Sequence, residues 1–157
     1  MLAAAKHGVR TSIIRLPPSV HGPGDVGFVP ALVATARRTG VAAYVGAGAN
    51  RWPSVPRLDA ARLFRLALEA APAGSRLHGV AEEGIAMRTI AETIGTGLGV
   101  PVRSIAFEEA EAQFDWLAHF VTIDCPASSA ITRDLLGWQP REQGLIADMR
   151  DGYFDQA

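Results

Sequence analysis

The sequence predicts an α/β fold, because short apolar strands alternate with amphipathic helices along most of the chain. Four short runs rich in β-branched and apolar residues predict strands: 10–16, 41–45, 77–81 and 102–105. Six segments with apolar residues three or four positions apart predict helices: 28–39, 59–71, 87–98, 108–117, 129–136 and 144–153. The alanine-rich residues 1–6 predict the last turns of a further helix that ends at His7 and Gly8. Such alternation is typical of a parallel sheet with helices on its faces.

The composition is that of one ordinary globular domain. Of the 157 residues, 48% are hydrophobic and 20% are charged, which is enough apolar material for a core. The net charge of −1 gives no reason to expect nucleic acid or an anionic membrane as a partner. No apolar run reaches the roughly 18 residues of a membrane span, so no membrane association is expected.

Cysteine and histidine usage argues against disulfides and metal sites. Cys125 is the single cysteine, so no disulfide can form within the chain, and a reducing, cytoplasmic location is expected. The histidines are scattered and give no metal-ligand spacing with it: His7, His21, His78 and His119. We therefore predict no metal site and interpret Cys125 as a structural thiol.

The loop after the first strand is the leading candidate for a ligand site. Pro17 and Pro18 end the strand, because two successive prolines cannot continue a sheet ladder. Ser19, Val20 and His21 follow, and a glycine-rich turn then leads into the helix at 28–39. In open α/β sheets, ligands bind in loops at the carboxyl ends of strands.

The same loop contains a match to the dinucleotide fingerprint G-x-G-x-x-G at residues 22–27, which we reject as a phosphate cradle. Five residues separate the strand from Gly22, whereas the first glycine of the motif follows its strand directly. Pro23 removes a backbone N–H where the motif needs donors. After Asp25 the next acidic residue is Asp59, far beyond the usual spacing of about 20 residues to a ribose-binding acid. We interpret the loop as a turn from sheet to helix.

The segment 51–57, RWPSVPR, contains two prolines and predicts an edge strand or a loop. Residues 82–84, Glu-Glu-Gly, predict a turn. Glu82 and Glu83 are adjacent and point to different sides, so they do not form a carboxylate pair for acid–base catalysis. Asp59 fits a helix N-cap better than a catalytic acid.

Three tryptophans complete the set of candidate core or site residues: Trp52, Trp116 and Trp138. We interpret Trp116 and Trp138 as packing residues. For Trp52, two interpretations stay open, a core residue or a ring that stacks on a ligand.

Four segments, in this order, are similar to the C-terminal half of the extended short-chain dehydrogenase/reductase family, the NAD(P)-dependent epimerases and dehydratases. They are RLPPSVHGPGD, AYVGAGANRWPSVPRLDAARLFRLALEA, LHGVAEEGIAMRTIAETIGTGLGVPV and SSAITRDLLGWQP. The amino-acid sequence of the second segment around Asn50 and Arg51 most resembles that of atypical extended members. Where the family has a histidine before the helix aspartate, this chain has Pro56.

The resemblance implies the last parallel strands of a doubly wound Rossmann-like fold followed by a small α/β substrate-binding domain. Residues 1–45 correspond to the remnant of a dinucleotide-binding domain, and residues 46–157 to the substrate-binding region. The implied cofactor is NAD or NADP, bound by the full-length member. Residues that would lie beside its nicotinamide are Pro17, Pro18, Ser19, Val20 and His21.

The resemblance also places Arg51 and Trp52 in the cleft for a small-molecule substrate. An arginine fork there can clamp a carboxylate or phosphate. The alternative is that Arg51 belongs to a solvated turn and Trp52 to the core.

Two hallmarks of the family are absent from this sequence. It has no glycine-rich phosphate loop after a first strand and no Tyr-x-x-x-Lys pair, since Gly48 and Ala157 follow Tyr44 and Tyr153 at that spacing. We therefore expect a C-terminal fragment with no catalytic residue of its own and no cofactor bound by this chain alone. The alternative is a non-catalytic interaction protein that pairs, through the open edge of its first strand, with a second copy or a separate N-terminal half.

Overall fold

A computed structural model describes residues 2–155 and shows an α/β fold, as the sequence predicts. Its strands are β1 (Ser12–Arg15), β2 (Ser19–His21), β3 (Ala42–Val45), β4 (Arg51–Pro56), β5 (Ser75–His78), β6 (Glu82–Ala86) and β7 (Val102–Ile105). Its α-helices are α1 (Phe28–Thr39), α2 (Arg57–Ala70), α3 (Met87–Leu98), α4 (Ala110–Phe114), α5 (Ala130–Leu136) and α6 (Leu145–Gly152). Short 3-10 helices cover Leu2–His7, Phe107–Glu109, Asp115–Leu117 and Phe120–Thr122.

The strands form three small sheets. β1 pairs with β5 and β3 pairs with β7, both in parallel. In the third sheet, β4 lies between β2, to which it is parallel, and β6, to which it is antiparallel. The helices pack on these sheets, which agrees with an α/β class built largely from parallel pairs. No helix within residues 2–155 has the length and apolar character needed to cross a membrane.

The prediction of an edge strand or loop at 51–57 is wrong, because β4 is the central strand of its sheet. Its two prolines occupy positions that tolerate them. Pro53 lies where the register with β6 shifts, between Trp52 and Ser54, and Pro56 is the last residue of the strand. Five of its six residues are buried, as expected of a central strand.

Two further local predictions are corrected. Residues 82–84 belong to strand β6 rather than to a turn, and the side chain of Glu82 accepts a hydrogen bond from the Ser54 hydroxyl at 2.7 Å. The same carboxylate accepts the Leu145 backbone N–H at 2.7 Å, at the first residue of α6. These partners of the Glu82 side chain compensate for the poor strand propensity of Glu-Glu-Gly.

Residues 19–21, predicted as a loop, form the short strand β2.

The helix predictions agree best where glycine ends the helix. α1 and α3 have the predicted bounds, and the left-handed residues that follow them are Gly40 and Gly99, with φ of 71° and 66°. The predicted helix at 108–117 is broken by Asp115, a non-glycine residue with φ of 52°. Residues 2–7, predicted as the end of an α-helix, form a 3-10 helix.

In the described residues, buried side chains form a larger group, a smaller group and a third cluster of Ala67, Ala71 and Leu77. The larger group joins α1, α3 and α6 through residues such as Val29, Ile90 and Leu145, each fully buried. The smaller group surrounds Trp138, which is 1% exposed and is a packing residue as predicted. Trp116, in contrast, is 59% exposed, and it packs at the surface against Phe28 and Phe120 rather than in the core.

Asp59 holds the smaller core together. Its carboxylate is fully buried and accepts the backbone N–H groups of Arg141 at 2.9 Å and Glu142 at 3.0 Å, in addition to the guanidinium of Arg62. Its backbone carbonyl accepts the indole N–H of Trp138 at 3.1 Å. Asp59 is therefore not the N-cap of α2, and it joins that helix to a segment more than 80 positions further along the chain.

We predict that Asp59→Ala lowers the free energy of unfolding by about 2–4 kcal/mol, because two backbone donors and one guanidinium lose a buried charged acceptor. Chemical denaturation monitored by circular dichroism measures the change. Glu69→Ala is the matched control, since Glu69 pairs with Arg65 on the exposed surface of the same helix and its loss should cost less than about 0.5 kcal/mol. Equal effects of the two substitutions would contradict this role for Asp59.

Candidate functional site

An open, mostly apolar cleft lies at the carboxyl end of β1. Its volume is about 290 Å³. We call it the apolar cleft, and it is lined by Leu16, Pro17, Pro18, Phe28, Trp52, Phe120, Ile123 and Cys125. The position fits the general rule that open α/β sheets bind ligands beyond the carboxyl ends of their strands.

Aromatic side chains form one wall and the mouth of the apolar cleft. The ring centroid of Phe28 lies 5.0 Å from Phe120 and 5.6 Å from Trp52. Trp116 extends the cluster outward, with its centroid 5.8 Å from Phe28 and 6.3 Å from Phe120. Because Phe120 is 39% exposed and Trp116 is 59% exposed, aromatic surface faces solvent at the mouth.

Trp52 closes the inner side of the apolar cleft as a buried residue. It is 1% exposed, and its indole N–H donates to the backbone carbonyl of Phe120 at 3.2 Å. This bond ties β4 to the 3-10 helix that carries Phe120. The core interpretation of Trp52 agrees with this burial.

Arg51 lies next to Trp52 in sequence but does not line the apolar cleft. Its guanidinium makes a two-point contact with the carboxylate of Asp124, through Nε at 3.1 Å and Nη2 at 3.0 Å. The Arg51 backbone N–H donates to the same carboxylate at 2.7 Å. Hydrogen bonds from Arg51 lower the pKa of Asp124, so the carboxylate is ionised at neutral pH and compensates the charge of the guanidinium.

The loop residues predicted to lie beside a nicotinamide separate into two groups. Pro17 and Pro18 line the apolar cleft. Ser19, Val20 and His21 form β2 and do not line it. Ser19 and His21 are buried, and Nδ1 of His21 lies 2.5 Å from the carboxylate of Asp148 in α6. The contact between His21 and Asp148 therefore helps to hold α6 against the sheet.

The glycine loop at 22–27 shows a concrete obstacle to phosphate binding. The carboxylate of Asp25 accepts the Gly27 backbone N–H at 2.7 Å, so a negative charge already occupies the position next to the start of α1. Asp25 also accepts the hydroxyl of Tyr153 at 2.8 Å. Burial, followed by this hydrogen bond, raises the pKa of Tyr153. The geometry supports the interpretation of the loop as a turn.

Sequence reasoning missed five of the eight residues that line the apolar cleft: Leu16, Phe28, Phe120, Ile123 and Cys125. Cys125 lies in a segment without regular secondary structure, and such segments near strand ends commonly carry ligand contacts. The thiol of Cys125 lies 3.6 Å from the Arg51 carbonyl. Burial and, to a smaller extent, the charge of Asp124 raise the pKa of Cys125, so the thiol is uncharged at neutral pH.

No protein-family profile matches the chain. It is 51% identical over 154 residues to an uncharacterised protein of Schizosaccharomyces pombe, a match that covers 98% of this chain and 52% of the relative. A second uncharacterised protein, from Saccharomyces cerevisiae, is 51% identical over 146 residues, which cover 93% of this chain and 49% of the relative. The chain thus spans about half the length of these curated relatives.

Solved structures with the same fold include enzymes with a nicotinamide cofactor bound. DesIV, a dTDP-glucose 4,6-dehydratase from Streptomyces venezuelae with NAD bound, matches 96% of this chain and 47% of its own at a TM-score of 0.68 and 20% identity. RMD from Pseudomonas aeruginosa, in complex with NADPH, matches 98% of this chain and 50% of its own, at a TM-score of 0.66 and 15% identity.

A third such structure, the UDP-glucose 4-epimerase of Thermotoga maritima with UDP-glucose, matches 96% of this chain and 47% of its own, at a TM-score of 0.65 and 16% identity. At these identities the matches establish the fold. The chain therefore has the α/β fold of about half of an NAD-dependent epimerase or dehydratase, and the resemblance inferred from the sequence is confirmed at that level.

We predict that alkylation of Cys125 by iodoacetamide has a pH midpoint above that of free cysteine, because the pKa of the thiol is raised. Mass spectrometry of samples quenched at successive pH values measures the rate. Asp124→Asn should lower the midpoint, since it removes a neighbouring negative charge. A midpoint at or below that of the urea-unfolded chain would contradict the prediction.

Proposed function

We propose that this chain is the C-terminal, substrate-binding part of an NAD(P)-dependent oxidoreductase or epimerase. The observation that carries the proposal is the apolar cleft at the carboxyl end of β1, with Pro17 and Pro18 in its lining. The shared fold with NAD- and NADPH-bound enzymes supports it. The half-length match to longer relatives supports the division of the activity between this chain and further sequence.

The residues of the apolar cleft fit one end of the cofactor. A bound nicotinamide would exchange a hydride with a substrate carbon, and its flat ring suits an apolar wall. Pro17 and Pro18 supply such a wall: both have a fixed φ, and neither carries a backbone N–H. They can hold the ring in one orientation and keep water from its face. The phosphates of the cofactor find no comparable cradle at 22–27, where Asp25 occupies the available donor.

The chain on its own is proposed to be inactive. Neither of its two tyrosines is placed to give a proton to a substrate in the apolar cleft. Tyr153 is bonded to Asp25, and its raised pKa keeps the proton on the phenol. Tyr44 lies under the guanidinium of Arg88, 5.6 Å from the ring centroid. Proton transfer therefore belongs to the part of the enzyme outside this chain.

The open edge of β1 favours a second candidate function, the pairing of this chain with a separate polypeptide. Among the described residues, β1 pairs only with β5, so one edge of a parallel sheet is open. Ile14 packs into the core, whereas Ile13 points to the other face and is not part of a core cluster. Val9 and Leu16, on either side of the strand, are 52% and 42% exposed. This edge suits a strand supplied by a separate polypeptide that corresponds to the part of the longer relatives outside the match.

The first proposal predicts the behaviour of a chimera in which this chain replaces the matched segment of the Schizosaccharomyces pombe relative. The chimera should bind NADH or NADPH with a micromolar dissociation constant by calorimetry, and the chain alone should show no turnover of either. Pro18→Asp in the chimera should weaken binding at least tenfold, because it puts a charge on the wall of the apolar cleft.

Val26→Asp is the control for that substitution. Val26 is 94% exposed in the same loop region, outside the apolar cleft, and its replacement should leave cofactor binding unchanged. The proposal fails if the chimera folds but binds neither nucleotide, or if Pro18→Asp and Val26→Asp have equal effects.

If the chain pairs with a separate half, it should form a one-to-one complex with the part of the Schizosaccharomyces pombe relative that lies outside the match. That part is added as a separate polypeptide, and sedimentation velocity measures the complex. Ile13→Lys should weaken the complex at least tenfold, while Val26→Lys should not change it. A chain that remains a monomer in the mixture, or that prefers a second copy of itself, contradicts this assignment of the partner.

A further inference from the structure

We propose that the apolar cleft selects an uncharged aromatic carbonyl compound rather than a sugar nucleotide. The proposal rests on the proposed function for the class of reaction and adds the class of substrate. It departs from the ligands of the structural neighbours, one of which holds UDP-glucose. The evidence is the uncharged lining, the ion pair between Arg51 and Asp124, and the volume of the cleft.

The lining of the apolar cleft offers no charge to a ligand. The described residues that line it include no aspartate, glutamate, lysine, arginine or histidine. The single ionisable group is the thiol of Cys125, which is uncharged at neutral pH because its pKa is raised. A diphosphate brings two or more negative charges, and their transfer from water into such surroundings is strongly unfavourable.

Two arginines adjoin the lining in sequence, Arg15 before Leu16 and Arg51 before Trp52, and neither lines the cleft. The second of them is already neutralised. Arg51 precedes Trp52, but its guanidinium is engaged with both carboxylate oxygens of Asp124 at 3.0–3.1 Å. Asp124 in turn precedes Cys125, so a phosphate approaching from this side meets a carboxylate as well as the arginine. A phosphate would have to displace Asp124, which its backbone bond to Arg51 at 2.7 Å also retains.

The polar groups around the cleft are also occupied by the protein itself. The indole N–H of Trp52 donates to Phe120, and the side-chain amide of Asn50 donates to the backbone carbonyls of Val121 at 2.8 Å and Ile123 at 3.3 Å. The hydroxyl groups of a hexose would find few free side-chain partners here, and each one buried without a partner costs about 1–3 kcal/mol. An aromatic carbonyl compound brings one such polar group, its carbonyl oxygen, instead of several.

The apolar cleft offers an aromatic ring favourable contacts instead. Phe120 and Trp116, which are 39% and 59% exposed, offer aromatic surface on which a ligand ring can pack at the usual spacing of aromatic pairs, about 4.5–7 Å. The cleft volume of about 290 Å³ lies at the lower end of small-molecule sites, and under the proposed function the cleft also holds the nicotinamide ring. The space left for a substrate suits a single ring with a short substituent that carries the carbonyl group.

Binding to the 157-residue chain tests the proposal without the cofactor. We expect acetophenone to bind with a low-millimolar or tighter dissociation constant in ligand-observed NMR, and benzoate and UDP-glucose to bind at least tenfold more weakly. Benzoate matches acetophenone in size and differs in charge. Phe120→Ala should weaken acetophenone binding at least fivefold. Phe107→Ala is the control, because Phe107 is 66% exposed and does not line the cleft.

Arg51→Ala separates the two classes of ligand. It should change the dissociation constant of acetophenone by less than twofold, since the guanidinium does not line the cleft. The proposal is overturned if acetophenone does not bind, if Phe120→Ala has no effect on it, or if UDP-glucose binds and Arg51→Ala abolishes that binding. Acetophenone binding in the absence of cofactor binding by the chimera would contradict the proposed function and leave the ligand class standing.

Discussion

The burial of Trp52 is the constraint on which the candidate site depends. Its indole fills the junction between β4, α1 and the segment that carries Phe120, and its N–H is satisfied by the Phe120 carbonyl at 3.2 Å. Because the ring is held inside, it gives the apolar cleft beyond the end of β1 a buried apolar boundary. Pro17 and Pro18 line the same cleft. The cleft therefore follows from how one large side chain on a central strand is packed.

That packing in turn requires the polar bonds that keep β4 central. Ser54 donates to Glu82, and Glu82 accepts the first backbone N–H of α6, so a carboxylate joins the sheet to the positive end of a helix. Asp148 in the same helix meets His21 in β2. Asp59 plays the corresponding role for α2 and Trp138. Asp59, which is buried, and Glu82 and Asp148, which are half-buried, thus fix the helices around the larger and the smaller core group, and each is paired with donors as burial demands.

The sequence was sufficient for the class of fold, the bounds of α1 and α3, and the two prolines of the site. Local signals carry that information: apolar spacing, a left-handed glycine after a helix, and a proline pair after a strand. Local signals failed at β4 and β6, where Pro53 lies at a register shift and the carboxylate of Glu82 finds distant donors. Phe120 and Cys125 were missed because they reach the apolar cleft from about 70 positions after Trp52, a contact that no local pattern encodes.

The central claim is that the nicotinamide end of the cofactor lies against Pro17 and Pro18 in the apolar cleft. A crystal structure of the chimera with the Schizosaccharomyces pombe relative, grown with NADH, tests it most directly. The account predicts the nicotinamide ring in van der Waals contact with these prolines and facing Phe28, with Asp25 still bonded to Gly27. A nicotinamide ring elsewhere, or a pyrophosphate seated on the loop at 22–27 in place of the Asp25 carboxylate, would contradict it.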